Sequence, residues 1–338
     1  MDLYMAGSTF EGLNDWMREH GYDKLFSQIN DRQEISDWVE FKKANHTPSK
    51  LFVDSGAFSV HTQEANVQRQ IDKAKKEGKD LSKIKLKKLP YTTADGKLDV
   101  DAYIDYINEI EPYITVFVQV DHIPGVWGRP RTTQELLEAP EKSWQNYLYM
   151  RPRVNNPDKL LPVFHQGEDF KWLRNMLEYK DEKTGKQIPY ICISSNKDLS
   201  INIQEKWLHE VFNIITRSSN PNVKTHALGL TSLRVLKKFP ITSADSTSWL
   251  RTATTGSIFT DFGTICISKE TVHRKENYIH RSSIEQDKIK QFVSDRGYSI
   301  EDLIEDYRKR EMWNVEYLQN WAKNYVYQER NLKRDTLF

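Results

Sequence analysis

Residues 50–60 read KLFVDSGAFSV. Leu51, Phe52 and Val53 are residues that build a buried strand, whereas Asp54, Ser55 and Gly56 are residues that end one. A turn accounts for the change, because Asp and Ser hydrogen-bond local backbone and cap a following helix. The same change recurs along the chain. Short apolar runs at 3–8, 50–56, 113–121, 160–168, 190–196, 225–232, 241–248 and 256–268 each give way to small or polar residues. Most are followed by amphipathic stretches such as VDAYIDYINEIEP and NIQEKWLHEVFNIITRSS. Near-continuous apolar strands alternating with helices indicate a parallel sheet covered on its outer face. Eight such runs predict a (β/α)8 TIM-type barrel, with a doubly wound open sheet as the alternative. The stretch 232–241 is short for a helix, so one β/α unit is expected to be reduced.

Length and composition fit this reading. The chain has 338 residues, enough for one large barrel with additions, and aromatic residues make up 12 %, enough for a substantial core in a chain whose mean hydropathy is only −0.71. The formal net charge of +1 argues against holding nucleic acid by overall charge, though not against a local basic patch. Such a patch stands at 62–98, where KAKKEGKDLSKIKLKKLP carries eight lysines against Glu77 and Asp80. This insertion reads as a solvated helix face or, beside a nucleic-acid site, as a set of phosphate contacts centred on Lys83, Lys85, Lys87 and Lys88. The barrel with its insertion is expected over 1–270 and a helical extension over 271–338. In that extension Trp313, Tyr317, Trp321 and Tyr325 recur every four residues, as one helix face packed on protein does. Cys192 and Cys266 lie in apolar runs and are expected to be buried and reduced, and no CxxC is present to build a zinc knuckle. No apolar stretch reaches membrane-spanning length and the N-terminus reads without a secretory leader, so a soluble cytoplasmic protein is expected.

Parallel barrels place their active sites at the carboxyl ends of the strands. Those ends here carry Asp54, Asp121, His165 with Gln166, Ser194 with Ser195, Gly229 and Asp245. Three carboxylates ending three apolar runs exceed what turns require, since Asn or Gly would serve equally. Two carboxylates can divide a glycosidic substitution, one attacking the anomeric carbon while the other moves the proton. A third can read the N–H edge of a base, Gln166 adds a donor and an acceptor, and Gly229 permits close approach of a flat ring. Asp245 before STSWLRTA also reads as a helix N-cap, Asp121 as a cap or ion-pair member, and His165 as hydrogen-bonded scaffolding.

The motifs resemble, in order, those of the tRNA-guanine transglycosylase family. VDSGAFS is similar to its VDSGGFQ signature, VQVDHIP to the strand bearing its base-reading aspartate, and FHQGE to its VQGG. CISS lies where the family has paired glycines, HALGLTS is similar to its MGVG segment, and SADSTSW occupies the position of its nucleophile. The likeness spans roughly 50–250 and departs from the family in lacking its cysteine-rich zinc site. Such a zinc-less chain resembles the phage-type branch that inserts 7-deazaguanines into DNA. The resemblance implies Asp245 as nucleophile and Asp54 as acid and base, with Ser55, Gly56, Asp121, Gln166, Gly167, Ser194 and Gly229 around the base. It further implies no metal and no cofactor, a free 7-deazaguanine as co-substrate, DNA as partner, and host cytoplasm as location if the chain is phage-encoded. A tRNA substrate, a non-catalytic nucleic-acid-binding barrel and a glycoside hydrolase are the competing readings, and a homodimer is left open.

Overall fold

The computed structural model describes residues 1–79, 89–94, 96–124, 131–196, 198–230 and 232–327. Its strands are β1 (Asp2–Ala6), β2 (Lys24–Ser27), β3 (Leu51–Asp54), β4 (Val116–Val118), β5 (Leu160–Leu161), β6 (Val163–His165), β7 (Tyr190–Ser194), β8 (Lys224–Leu228), β9 (Ser243–Ser246), β10 (Ser257–Thr260) and β11 (Gly263–Cys266). The helices are α1 (Leu13–Glu19), α2 (Arg32–Ala44), α3 (Ala57–Lys76), α4 (Val100–Ile110), α5 (Thr133–Met150) and α6 (Phe170–Glu178). They continue with α7 (Ile201–Arg217), α8 (Leu233–Leu236), α9 (Ser248–Thr254), α10 (Ser283–Ser294), α11 (Ile300–Glu305) and α12 (Tyr307–Asn324). The chain is α/β with parallel strand pairs, and it divides into two compact units, Leu25–Leu228 and Met1–Lys24 with Gly229–Phe338.

Seven of the eight apolar runs supply parallel strands. The eighth, 256–268, does not: β10 and β11 form an antiparallel hairpin in which Thr260 Oγ1 donates to the Gly263 carbonyl at 2.7 Å. The Asp261–Phe262–Gly263 turn inside the run divides one apparent strand into two. The strand that takes its place in the count is β2, which composition hides because it opens on a lysine and runs into Gln28. Lys24 is fully buried and its ammonium donates to the Gly7 carbonyl. The run 160–168 gives two strands because Pro162 has no N–H to donate. The expected shortening at 232–241 is present, since α8 is a single turn.

In the unit Leu25–Leu228, β4 pairs with β3 and β5, and β7 pairs with β6 and β8. Pro162 joins β5 to β6 covalently, and its carbonyl accepts from Cys192 N–H at 2.8 Å, so pairing passes across the break. Leu51, Phe52, Val53, Phe117, Phe164, Ile191 and Cys192 are fully buried. Phe52 on β3 and His226 on β8 are not on neighbouring strands, yet their ring centroids lie 4.4 Å apart, so this sheet curls until its inner side chains meet. In α4 Tyr103, Ile104, Ile107 and Ile110 are buried, and the Asp99 side chain caps the helix by accepting from Ala102 N–H at 3.0 Å.

In the other unit β1 pairs with β9, with Tyr4 opposite Asp245. Here α12 carries buried polar residues that serve backbone carbonyls. Gln319 donates to Leu3, Asn314 to Trp249 at 3.1 Å, and Arg310 to Ala253 at 3.0 Å. Around it Ile258, Ile265, Ile267, Ile289, Val293 and Trp313 form an apolar cluster. Of the helical stripe, Trp313 is buried with its N–H on the Phe259 carbonyl and Tyr317 stacks on Phe259, while the half-buried Trp321 and Tyr325 stack on each other. Cys192 and Cys266 are buried free thiols. No helix among the described residues is long and apolar enough to cross a membrane.

Gly56, between β3 and α3, has φ of 81°, and a Cβ built there would lie 2.4 Å from Ile29 Cγ1. Both the left-handed backbone and the contact oppose a side chain. Gly56→Ala is expected to cost about 2–4 kcal/mol. Gly78→Ala, also at positive φ but facing open space, should cost less. Equal thermal denaturation midpoints for the two variants would refute the Ile29 contact.

Candidate functional site

The polar ends of β3, β4, β6 and β7 belong to the unit Leu25–Leu228. Asp54 closes β3 half-buried, and its Oδ2 accepts from Gly56 N–H at 3.1 Å. That is the turn bond the bare sequence suggests, and it occupies one of the two carboxylate oxygens. Ser55 is fully buried, its hydroxyl oxygen accepting from Ala57 N–H at 3.4 Å and its carbonyl from Gln28 Nε2 at 3.1 Å. Ser55 therefore serves the backbone on both sides of the turn.

Asp121, three residues beyond β4, meets the end of β6. Its Oδ2 lies 3.1 Å from His165 Nε2, while His165 Nδ1 lies 3.0 Å from Glu168 Oε1. Glu168 Oε2 also accepts from the His165 backbone N–H at 3.1 Å. Gly167, at φ of 107°, makes the turn that brings Glu168 back onto His165. Burial by itself would lower the His165 pKa, but hydrogen bonds from Asp121 and Glu168, with their charges, outweigh it and raise the value to about 10. The ring is an imidazolium at neutral pH, donating from both nitrogens to two carboxylates. His165 is thus held between two acids, and Glu168, which the sequence reading passes over, is the second of them. The signal was available in HQGE: an acid three residues after the histidine across a glycine turn.

Gln166 follows His165, and its backbone N–H donates to the Ser194 carbonyl at 2.8 Å. Its Oε1 accepts from Asn196 N–H at 2.9 Å, which fixes the amide and leaves Nε2 as its donor atom. Ser194 is half-buried at the end of β7, while Ser195 is buried and donates to Gln204 Oε1 at 3.3 Å. Beneath β3 and β4 the fully buried Tyr103 hydroxyl donates to the Val118 carbonyl at 3.0 Å. Burial first, and then the charges of Asp54 and Asp121, push its pKa well above the ordinary value. One tyrosine therefore senses both acids. His122 takes no part in that cluster: its N–H donates to Ser143 at 2.8 Å, and burial lowers its pKa.

Gly229 and Asp245 belong to the other unit. Asp245 lies inside β9, 8 % exposed, and its Oδ1 accepts from Gly229 N–H at 2.6 Å. The α9 cap position is Thr247, so Asp245 is no helix cap. Lys83, Lys85, Lys87 and Lys88 lie outside the described residues. Among the described residues no group of three or more His, Cys, Asp or Glu side chains is placed to hold a metal ion. No protein-family model matches the chain, and no curated protein is similar to it in sequence.

The clamp on His165 carries a pH signature. Its folded pKa stands above the ordinary 6.5, so the stabilisation is full below about pH 6.5 and is lost as pH rises through about 10. His165→Gln should lower the melting temperature most near pH 6, with the gap to wild type closing toward pH 10. A gap that widens with pH would show that the ring is held neutral.

Proposed function

We propose that the chain is a guanine transglycosylase that exchanges guanine in DNA for a free 7-deazaguanine base. The observation that carries this reading is the end of β6, where Asp121 Oδ2 lies 3.1 Å from His165 Nε2 and the Gln166 amide is fixed by the Asn196 N–H. Guanine and 7-deazaguanines share an edge with a ring N–H, an amino group and a carbonyl. Asp121 would accept from the first two and Gln166 Nε2 would donate to the third.

In the first half-reaction an Asp245 oxygen forms a bond to C1′ as the bond from C1′ to guanine N9 breaks, and Asp54 gives a proton to the departing base. The aspartyl–deoxyribose ester of the DNA strand then meets the 7-deazaguanine. Its N9 bonds to C1′ as its proton passes to Asp54, and Asp245 leaves as carboxylate. Two displacements at one carbon retain configuration, and no nucleotide triphosphate is consumed. The bond from Gly229 N–H to Asp245 Oδ1 supports Asp245 as nucleophile by fixing the orientation of its side chain. The reading takes the strands as a (β/α)8 barrel over 1–270 with a basic insertion at 62–98 and a helical extension over 271–338. It also takes DNA as partner and the cytoplasm as location.

Incubation with labelled 7-cyano-7-deazaguanine, and separately with DNA and tRNA, followed by mass analysis of nucleosides, tests this directly. Label is expected in DNA. Label in tRNA alone would move the substrate to RNA, and label in neither would leave a non-catalytic barrel. Asp245→Asn should give no exchange and no protein–DNA band on denaturing gels. Asp54→Asn should slow both half-reactions about a hundredfold or more. Full exchange by the Asp245→Asn variant would remove Asp245 from the reaction.

A further inference from the structure

Arg32, the first residue of α2, is held differently from the other buried or half-buried arginines. Arg151 has Asp158 and Asp181 beside it, and Arg310 donates to backbone carbonyls. The Arg32 guanidinium carbon lies 3.4 Å from the centroid of the Tyr91 ring and 4.0 Å from that of Tyr106. Rings at those distances stack on a planar guanidinium and leave it the N–H edge for polar contacts. Along that edge Nε and Nη2 donate to one neutral acceptor, Gln28 Oε1, at 3.3 and 2.8 Å. Among the described residues Arg32 has no carboxylate partner. Two of its five N–H groups therefore meet a single amide oxygen, in a setting that keeps the cation in place without neutralising it.

Gln28 ties this cation to the turn after β3. It is fully buried, with its backbone N–H on the Asp54 carbonyl at 3.0 Å and its Nε2 on the Ser55 carbonyl at 3.1 Å. The guanidinium is thus two hydrogen bonds from the backbone of Asp54. Its charge also reaches Tyr103, where it opposes the effect of Asp54 and Asp121. Tyr91 holds its ring there from a backbone φ of 58°, a conformation that costs a bulky residue of order 1–3 kcal/mol. In sequence Tyr91 stands three residues after Lys88, so the basic insertion runs directly into the clamp.

We propose that Arg32, gripped by Tyr91 and Tyr106 and steered by Gln28, is a substrate-binding residue that takes a phosphodiester of a polynucleotide strand. A phosphodiester offers one negative charge and two unesterified oxygens, the partner that fits an arginine edge. The choice of a polynucleotide over a free phosphate rests on the transglycosylase reading of Asp54. Arg32 would hold the strand while the base next to that phosphate enters.

The test is binding of a fluorescent DNA oligonucleotide by wild type, Arg32→Ala and Arg32→Lys across a salt series, with a thermal melt of each. Arg32→Ala should bind about tenfold more weakly, and its log–log salt slope should fall by about 0.7–0.9, the share of one phosphate. Arg32→Lys should keep the wild-type slope and recover part of the affinity. In exchange assays Arg32→Ala should raise KM more than it lowers kcat. Unchanged affinity and slope in Arg32→Ala overturn the proposal. So does a melt-destabilised Arg32→Ala accompanied by an Arg32→Lys variant that keeps its fold and has lost the slope. Inorganic phosphate or a mononucleotide competing as tightly as the oligonucleotide overturns the polynucleotide assignment. DNA binding with an Arg32-dependent slope but no base exchange removes the transglycosylase reading and leaves this one standing. Exchange with Arg32-independent binding does the reverse.

Discussion

A parallel strand buried on both faces has few places for a polar side chain other than its ends. In the unit Leu25–Leu228 this constraint sorts the sequence: Phe52, Val53, Phe117 and Phe164 fill the strands, and Asp54, Asp121, Gln166 and Ser194 follow them. The polar ends then need partners of their own, because carboxylates at the rim of an apolar core are only partly hydrated. Asp54 uses the Gly56 N–H, Asp121 uses an imidazolium, and Gln166 uses the Asn196 N–H. The same bonds that make these groups tolerable also aim them.

Much of this was legible because period and position carry it. Apolar runs broken by Asp, Gln or Ser mark strand ends whatever the tertiary structure, and seven of the eight runs behave so. The two failures have one cause, which is that hydrophobicity was read without backbone geometry. Lys24 sits in a strand because its ammonium finds the Gly7 carbonyl, a long-range bond that no local pattern announces. The run 256–268 looked like one strand because the Asp261–Phe262–Gly263 turn is itself flanked by apolar residues on both sides. In the site, residues at strand ends were found and residues that fold back onto them were missed. Glu168 reaches His165 through a glycine turn, and Tyr103 arrives from α4. Arg32 was invisible for a related reason: two tyrosines remote in sequence distinguish it from any other surface arginine.

The charges of this unit form two contrasting arrangements. Around His165 the imidazole ring lies between two acids, Asp121 and Glu168. Around Arg32 the partners are rings and an amide, leaving a full positive charge near Asp54. Neutral aromatic support holds a cation without spending it, whereas carboxylate support fixes an acid by sharing a proton-rich ring. A polyanion with a hydrogen-bonding base has use for both.

The two compact units differ in how the ribosome delivers them. Residues 25–228 form one continuous stretch, so its strands and helices meet their partners while later segments are still being made. The other unit draws on both ends of the chain. Gln319 donates to the carbonyl of Leu3 across 316 residues, and Trp249 to that of Ala6 across 243. Closing loops of that length costs more conformational entropy than closing neighbouring turns, although the cost rises only with the logarithm of length. The segment of β1, translated before residues 25–228, is thus among the last to be satisfied. Until β9 and α12 have emerged, Leu3, Tyr4 and Met5 lack the partners that bury them. That interval, rather than the finished protein, is when the chain is most open to mispairing and most in need of a chaperone.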